Sequence, residues 1–227
     1  AGIERGTEVP EADRERLVAA YDAMVATWDD RFGALVADLD ARGRLDDTIV
    51  VVTSDHGEGF FEHDVWAHQN SLYEELVRVP LVIRGPGVRP GRVARDVSVT
   101  NVVGTLLELA GHAKGEIGSG RTLAEAGAPP WRARLERDEG VWTSTIEGGR
   151  KWIVLRDDAG EHLEAFDLAS DPSEQRDLSA SLATEAAAVR ARLDREIAAD
   201  REKGLAPSKV RISDEMAEAL RALGYAE

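Results

Sequence analysis

Cysteine is absent from the 227 residues, which rules out disulfides and thiolate metal sites and leaves the redox compartment unread. No apolar run approaches the ~18 residues that a membrane span requires. The opening stretch, AGIERGTEVPEADRER, has no hydrophobic segment of the kind a signal peptide carries. It begins without Met, as a processed or truncated chain would. Positive charge is scarce as well: 28 Lys and Arg stand against 43 Asp and Glu, for a formal net charge of −15. Such a surface repels nucleic acid and anionic membranes, so no nucleic-acid partner is expected. A small anionic substrate stays compatible, because a bound cation inverts the local potential.

What is present is apolar material for a sizeable core, with 43% of residues hydrophobic. Ala, Leu, Glu and Arg are abundant while Val and Ile cluster in short runs, which favours an α/β class. Residues Pro10 to Arg44 read as one amphipathic helix, with Leu17, Tyr21, Met24, Val25, Trp28, Phe32, Leu35, Val36 and Leu39 at helical spacing and Gly43 as its stop. The run Thr48–Thr53 is β-branched and bounded by turn signals, and predicts a buried, central, parallel strand at Ile49–Thr53. A second buried strand is expected over Val79–Arg84, beside the first, after a short helix over Ser71–Val77. Val97–Leu109 carries a strand-to-helix pattern, and Gly115–Pro130 reads as an irregular crossing segment. Gly140–Thr145 and Lys151–Leu155 read as strands joined by the hairpin signal Glu147-Gly148-Gly149, with a third at Glu164–Asp167. A charge-patterned helix follows from Leu178 to about Lys203.

The chemistry-bearing segment is Thr53-Ser54-Asp55-His56-Gly57-Glu58-Gly59, at the carboxyl end of the first strand, where open α/β sheets bind ligands. Asp55 and His56 there offer a hard oxygen and an imidazole nitrogen to one space. That pair suits Mn²⁺, Zn²⁺, Mg²⁺ or Ca²⁺, with the histidine weighting the choice toward transition metals. Gly57 allows a sharp backbone turn. On residue chemistry alone, the rival is a plain turn with a satisfied histidine.

The context decides between them. TIVVVTSDHGEGFFEH (48–63) and HQNSLYEELVRVPLVIRGPG (68–87) closely resemble the second block of the sulfatases. DDRFGALVADLDARGRLDDTIV (29–50) resembles the helix before that block, and VSVTNVVGTLLELAG (97–111) the edge strand and helix after it. WIVLRDDAGEHLEAFDLASDPSEQRDLS (152–179) is similar to the family's carboxy-terminal subdomain, and DEMAEALRALGYAE (214–227) to its tail. The resemblance implies part of an alkaline-phosphatase-like sheet flanked by helices over 1–130, with a small antiparallel subdomain and tail over 131–227. It also implies hydrolysis of a sulfuric ester and one divalent metal, Ca²⁺ by family habit. Asp55 and His56 then become metal ligands.

A downstream basic residue of the family contacts the anion or the leaving oxygen, and His68 is the matching position, catalytic and substrate-binding at once. His63 competes with it, and the spacing leaves both open. Glu58 reads equally as a support to the metal ligands or as an exposed loop acid. Arg78 is expected to buttress the loop, and Tyr73, Glu74 and Glu75 to pack and cap. Asn101 and Gly104 stand where the family has Asp and Pro, at structural positions.

The family's nucleophile motif, C/S-x-P-S/A-R, occurs nowhere in the sequence. The covalent step therefore cannot run in this chain alone, and the missing amino-terminal half of the same protein is the expected partner. The His variant keeps a phosphodiesterase, phosphonate monoesterase or phosphoethanolamine transferase open as the parent activity. A non-catalytic half-domain that folds against a partner is the rival of another class.

Overall fold

The computed structural model describes residues 9–68, 71–112, 122–125, 131–137 and 139–203. The chain divides into two compact units, residues 1–186 and 187–227. Of the second, the described part is residues 187–203, all but the first turn of the helix that begins at Ala183.

Helix α1 spans Glu11–Ala41, as the hydrophobic spacing predicts, and Gly43 follows it at φ 63. None of its residues is buried, and Met24, Val25, Trp28 and Leu35 stand about half or more exposed. Tyr21 lies edge-on to Phe60 at 5.1 Å, and the Arg14 guanidinium stands 4.7 Å over the neighbouring Phe61 ring.

Strand β1 (Val50–Thr53) pairs with β4 (Leu81–Arg84), so the two expected strands are neighbours. They are antiparallel, from Val50↔Arg84 to Thr53↔Leu81, and not the parallel central pair that the sequence predicts. The connection explains the difference. Between Thr53 and Leu81 lie a small hairpin, β2 (Gly59–Phe60) with β3 (Trp66–Ala67), and the one-turn helix α2 (Glu74–Val77). None of these carries the chain back along the strand, as a parallel partner requires. The strands are half-buried rather than buried, and Val82 is 60% exposed. Among the described residues no further strand joins this pair.

Helix α3 (Thr100–Leu109) takes the place of the strand-to-helix pattern, with no strand over 97–99. Asn101 is buried within it. Most of the segment expected to be irregular, 115–130, and all of the family tail at 214–227 lie outside the described residues.

The core is a four-stranded antiparallel meander, β5 (Trp131–Arg137), β6 (Gly140–Glu147), β7 (Arg150–Asp157) and β8 (Gly160–Asp167). The hairpin between β6 and β7 turns on Gly148 and Gly149 at φ 59 and 81, the left-handed pair that a two-residue turn demands. Strand β7 is buried on both faces through Lys151, Trp152, Ile153 and Val154. Sequence reasoning missed β5, whose run WRARLER alternates charge with apolar side chains as an edge strand does. After β8, Asp177 accepts the Ala165 N–H at 3.0 Å and Leu178 N–H donates to Ala165 O at 2.8 Å. These bonds stitch the 168–178 turn to the sheet. A 3-10 turn at Ser179–Leu182 then leads into α4 (Ala183–Lys203).

Candidate functional site

β1 ends at Thr53, and the next residues fold into a tight local turn. Ser54 Oγ donates to His56 O at 2.6 Å, and His56 N–H donates to Asp55 Oδ1 at 3.1 Å. Gly57 follows without a positive φ, so a left-handed turn is not what it serves. Its N–H donates to Leu76 O at 2.8 Å, and a Cβ there would stand 1.9 Å from Glu75 O. Glycine is needed because the turn lies directly on the α2 backbone.

The Asp55 side chain is 74% exposed and that of His56 35%, with Asp55 Oδ1 3.8 Å from His56 Nε2. His56 Nδ1 lies 2.8 Å from Gly57 O. A carbonyl only accepts, so that nitrogen carries a proton, and in the neutral ring Nε2 is the nitrogen left to ligate. This is the tautomer a metal-binding imidazole adopts. Two donors 3.8 Å apart can share one ion at ordinary ligand distances of about 2.0–2.2 Å. The pair therefore fits part of a cation's ligand set, although among the described residues no group of three or more His, Asp and Glu side chains is placed to hold a metal ion.

His68, directly after β3, stacks on His56 with ring centres 4.4 Å apart at 25°. Its Nδ1 lies 3.5 Å from Glu58 Oε2, which gives Glu58 a partner inside the site. Asp55, His56, His68 and Glu58 thus form one half-exposed patch at the end of β1.

His63 is engaged elsewhere. Its Nδ1 lies 2.7 Å from Glu75 Oε1, its Nε2 lies 3.1 Å from Glu174 O, and its ring stacks on Tyr73 at 3.7 Å. Burial pulls its pKa down, but the hydrogen bond and charge of Glu75 with the Glu174 carbonyl outweigh that and raise it. Tyr73 Oη donates to Glu164 at 2.7 Å, and Glu74 pairs with Lys151. These contacts join α2 to the sheet, which is the packing role expected for Tyr73, Glu74 and Glu75. Lys151 and Glu174 escaped sequence reasoning. The one clue to Lys151 was a cation opening the apolar run Trp152–Leu155.

The Sulfatase family profile matches residues 4–112. Arylsulfatase K of Bos taurus is 32% identical over 187 residues, which cover 75% of this chain and 34% of that protein. A solved 2-O GAG sulfatase superposes on 88% of this chain and 47% of its own, with a TM-score of 0.70 at 22% identity. The phosphonate monoester hydrolase of Agrobacterium radiobacter covers 85% of this chain and 42% of its own, with a TM-score of 0.64 at 26% identity. The chain spans about a third of the length of the arylsulfatase K that it matches and under half of the two solved structures. The profile, the curated relative and the shared fold agree with the order of the sequence blocks, and the chain belongs to the sulfatase family of the alkaline phosphatase superfamily.

Proposed function

We propose that this chain supplies the metal and substrate-anion ligands of a sulfuric-ester hydrolase whose nucleophile lies on a segment outside these 227 residues. The observation that carries the reading is the Asp55–His56 donor pair, its tautomer fixed by Gly57 O, with the His68 ring stacked beside it. Asp55 and His56 would hold a divalent cation, Ca²⁺ by family habit and Mn²⁺, Mg²⁺ or Zn²⁺ by the chemistry of the imidazole. When bound, such a cation offsets charge gathering on the non-bridging oxygens of the ester. His68 would hold or protonate the leaving oxygen, and Glu58 at 3.5 Å would orient its ring.

The substrate is a small anionic ester. The likeness to a phosphonate monoester hydrolase supports a phosphorus ester as the second reading, with the same residues in the same roles. A non-catalytic half-domain remains the reading of another class, supported by the missing nucleophile motif.

Turnover of an aryl sulfate and an aryl phosphonate separates these readings. The chain alone should give no turnover. Joined to a nucleophile-bearing segment of a relative, it should hydrolyse the sulfate, and Asp55→Ala, His56→Ala or His68→Ala should each abolish that. Hydrolysis by the chain alone, or by the assembled protein irrespective of these substitutions, would overturn the assignment.

A further inference from the structure

A seam of charge joins the β2–β3 hairpin, and the His68 that follows it, to the four-stranded sheet. At its centre is Lys151 on β7, fully buried, with Nζ 2.9 Å from Glu74 Oε1 and 3.0 Å from Glu174 Oε1. Glu174 is itself buried and sits at φ 54, a left-handed backbone that a non-glycine residue holds only where its surroundings enforce it. The enforcement is visible in its contacts. Its second carboxylate oxygen accepts the Glu74 N–H at 2.5 Å, and its backbone carbonyl faces His63.

His63 stands in the loop of the hairpin, between Phe60 and Trp66, and its side chain is 12% exposed. Both of its ring nitrogens point at acceptors: a Glu75 carboxylate oxygen at 2.7 Å and the Glu174 carbonyl at 3.1 Å. An imidazole satisfies two acceptors at once only when both nitrogens carry protons. One flat face of the ring lies on Tyr73, a stack that favours the charged form. The groups facing it are Glu75 and Tyr73 beside α2, and Glu174 and Asp171 from the turn after β8. Gln175 Nε2 donates to Ser173 O at 2.9 Å and lies farther, 3.4 Å, from His63 Nε2, which has the closer Glu174 carbonyl as its acceptor.

We propose that His63 is a positioning residue for His68, tying the hairpin to Glu75 of α2 and to the Glu174 turn of the sheet. The hairpin is short: Gly59 pairs with Ala67, Phe60 with Trp66, and Phe61 N–H donates to Val65 O at 3.0 Å. A two-pair ladder has little stability of its own, so the anchored loop sets where Ala67, and with it the His68 backbone, comes to rest. The tether holds while His63 is an imidazolium and slackens as it loses its proton. This rests on the reading of His68 as the leaving-group residue, and it makes His63 the reason that residue stays beside His56.

Two measurements on the full chain across pH 5–9 test it: histidine ¹³Cε1 shifts, which give the His63 midpoint, and the hydrogen-exchange protection of Phe61 N–H. In the native chain, protection should be constant at low pH. It should then fall through the His63 midpoint, by about tenfold for each pH unit that the folded hairpin raises that midpoint. In Glu75→Gln the midpoint should move down, and hairpin protection should already be low in acid, while the β6–β7 ladder keeps its protection. A His63 that titrates at or below an ordinary histidine, or hairpin protection that ignores its titration, would overturn the proposal. A plain packing role would lower protection equally at every pH. The reading of His68 fails separately: if His68→Ala leaves the assembled enzyme active while the hairpin follows His63, the tether stands and the catalytic role does not.

Discussion

Gly57 offers a calculation that connects the site turn to its scaffold. Replacing it with Ala builds a Cβ 1.9 Å from Glu75 O and 2.9 Å from Glu75 C, both backbone atoms that no side-chain rotation can clear. Either the 54–58 turn or α2 must move. Overpacking of this kind costs about 1–3 kcal/mol. The movement also breaks the Gly57 N–H bond to Leu76 O, at 2.8 Å, worth about 1 kcal/mol more. The stiffer unfolded chain returns about 0.4–1 kcal/mol. The net loss is about 1–3.5 kcal/mol, centred a little above 2, or roughly 5–10 °C in Tm at that centre for a chain of this size.

Gly33→Ala is the matched control. Gly33 lies inside α1 with nothing within 4 Å of its would-be Cβ, so the same change should stabilise by about 0.5–1 kcal/mol. Thermal melts followed by circular dichroism read both. A Gly57→Ala chain within about 1 kcal/mol of the parent would refute the claim that close approach to α2, rather than backbone freedom, fixes this glycine.

Lys151→Met should cost about 3–5 kcal/mol in denaturant titrations, because Glu74 and Glu174 would be left facing each other without their cation. Burial already pushes the Glu174 carboxyl above its usual range against the pull of Lys151, so a loss under about 1 kcal/mol would show that the seam carries no net stability. His63 sets a second dependence. Its folded pKa is raised above 6.5, so its contribution is fully present below that value and is lost as pH rises through the folded midpoint. Melting temperatures should decline over that window in the parent chain and stay flat in His63→Gln.

Much of the fold was legible because local signals suffice where contacts are local. The α1 stripe, the Gly148-Gly149 turn and the Val-rich run at Val50–Val52 each announce their element within a few residues. Strand direction was not legible in the same way. A buried apolar run looks alike in either sense, and only the short path through α2 makes β1 and β4 antiparallel. The site divides along the same line. Asp55 and His56 are neighbours in sequence, and the structure keeps them together at the end of β1. His68 and His63 could not be told apart by spacing, because what separates them is Glu174, 111 residues from His63, with a carbonyl that claims its Nε2. Lys151 was hidden for the same reason, since its partner Glu74 lies 77 residues away.

The central claim, that Asp55 and His56 bind one divalent cation, is tested most directly by Mn²⁺ titration of the isotope-labelled chain, read as paramagnetic broadening. Two protein donors are fewer than the four to seven such ions take, so binding should be weak. It should nonetheless be local, with the His56 ring and the 54–57 amides broadening first and the stacked His68 ring with them. His162, near Glu164 on β8, should stay sharp at the same Mn²⁺ concentration. Asp55→Ala and His56→Ala should each remove the selective broadening. Broadening that begins elsewhere on this acidic surface, or that persists at His56 in the Asp55→Ala chain, would contradict the assignment and return the Asp-His-Gly segment to a plain turn.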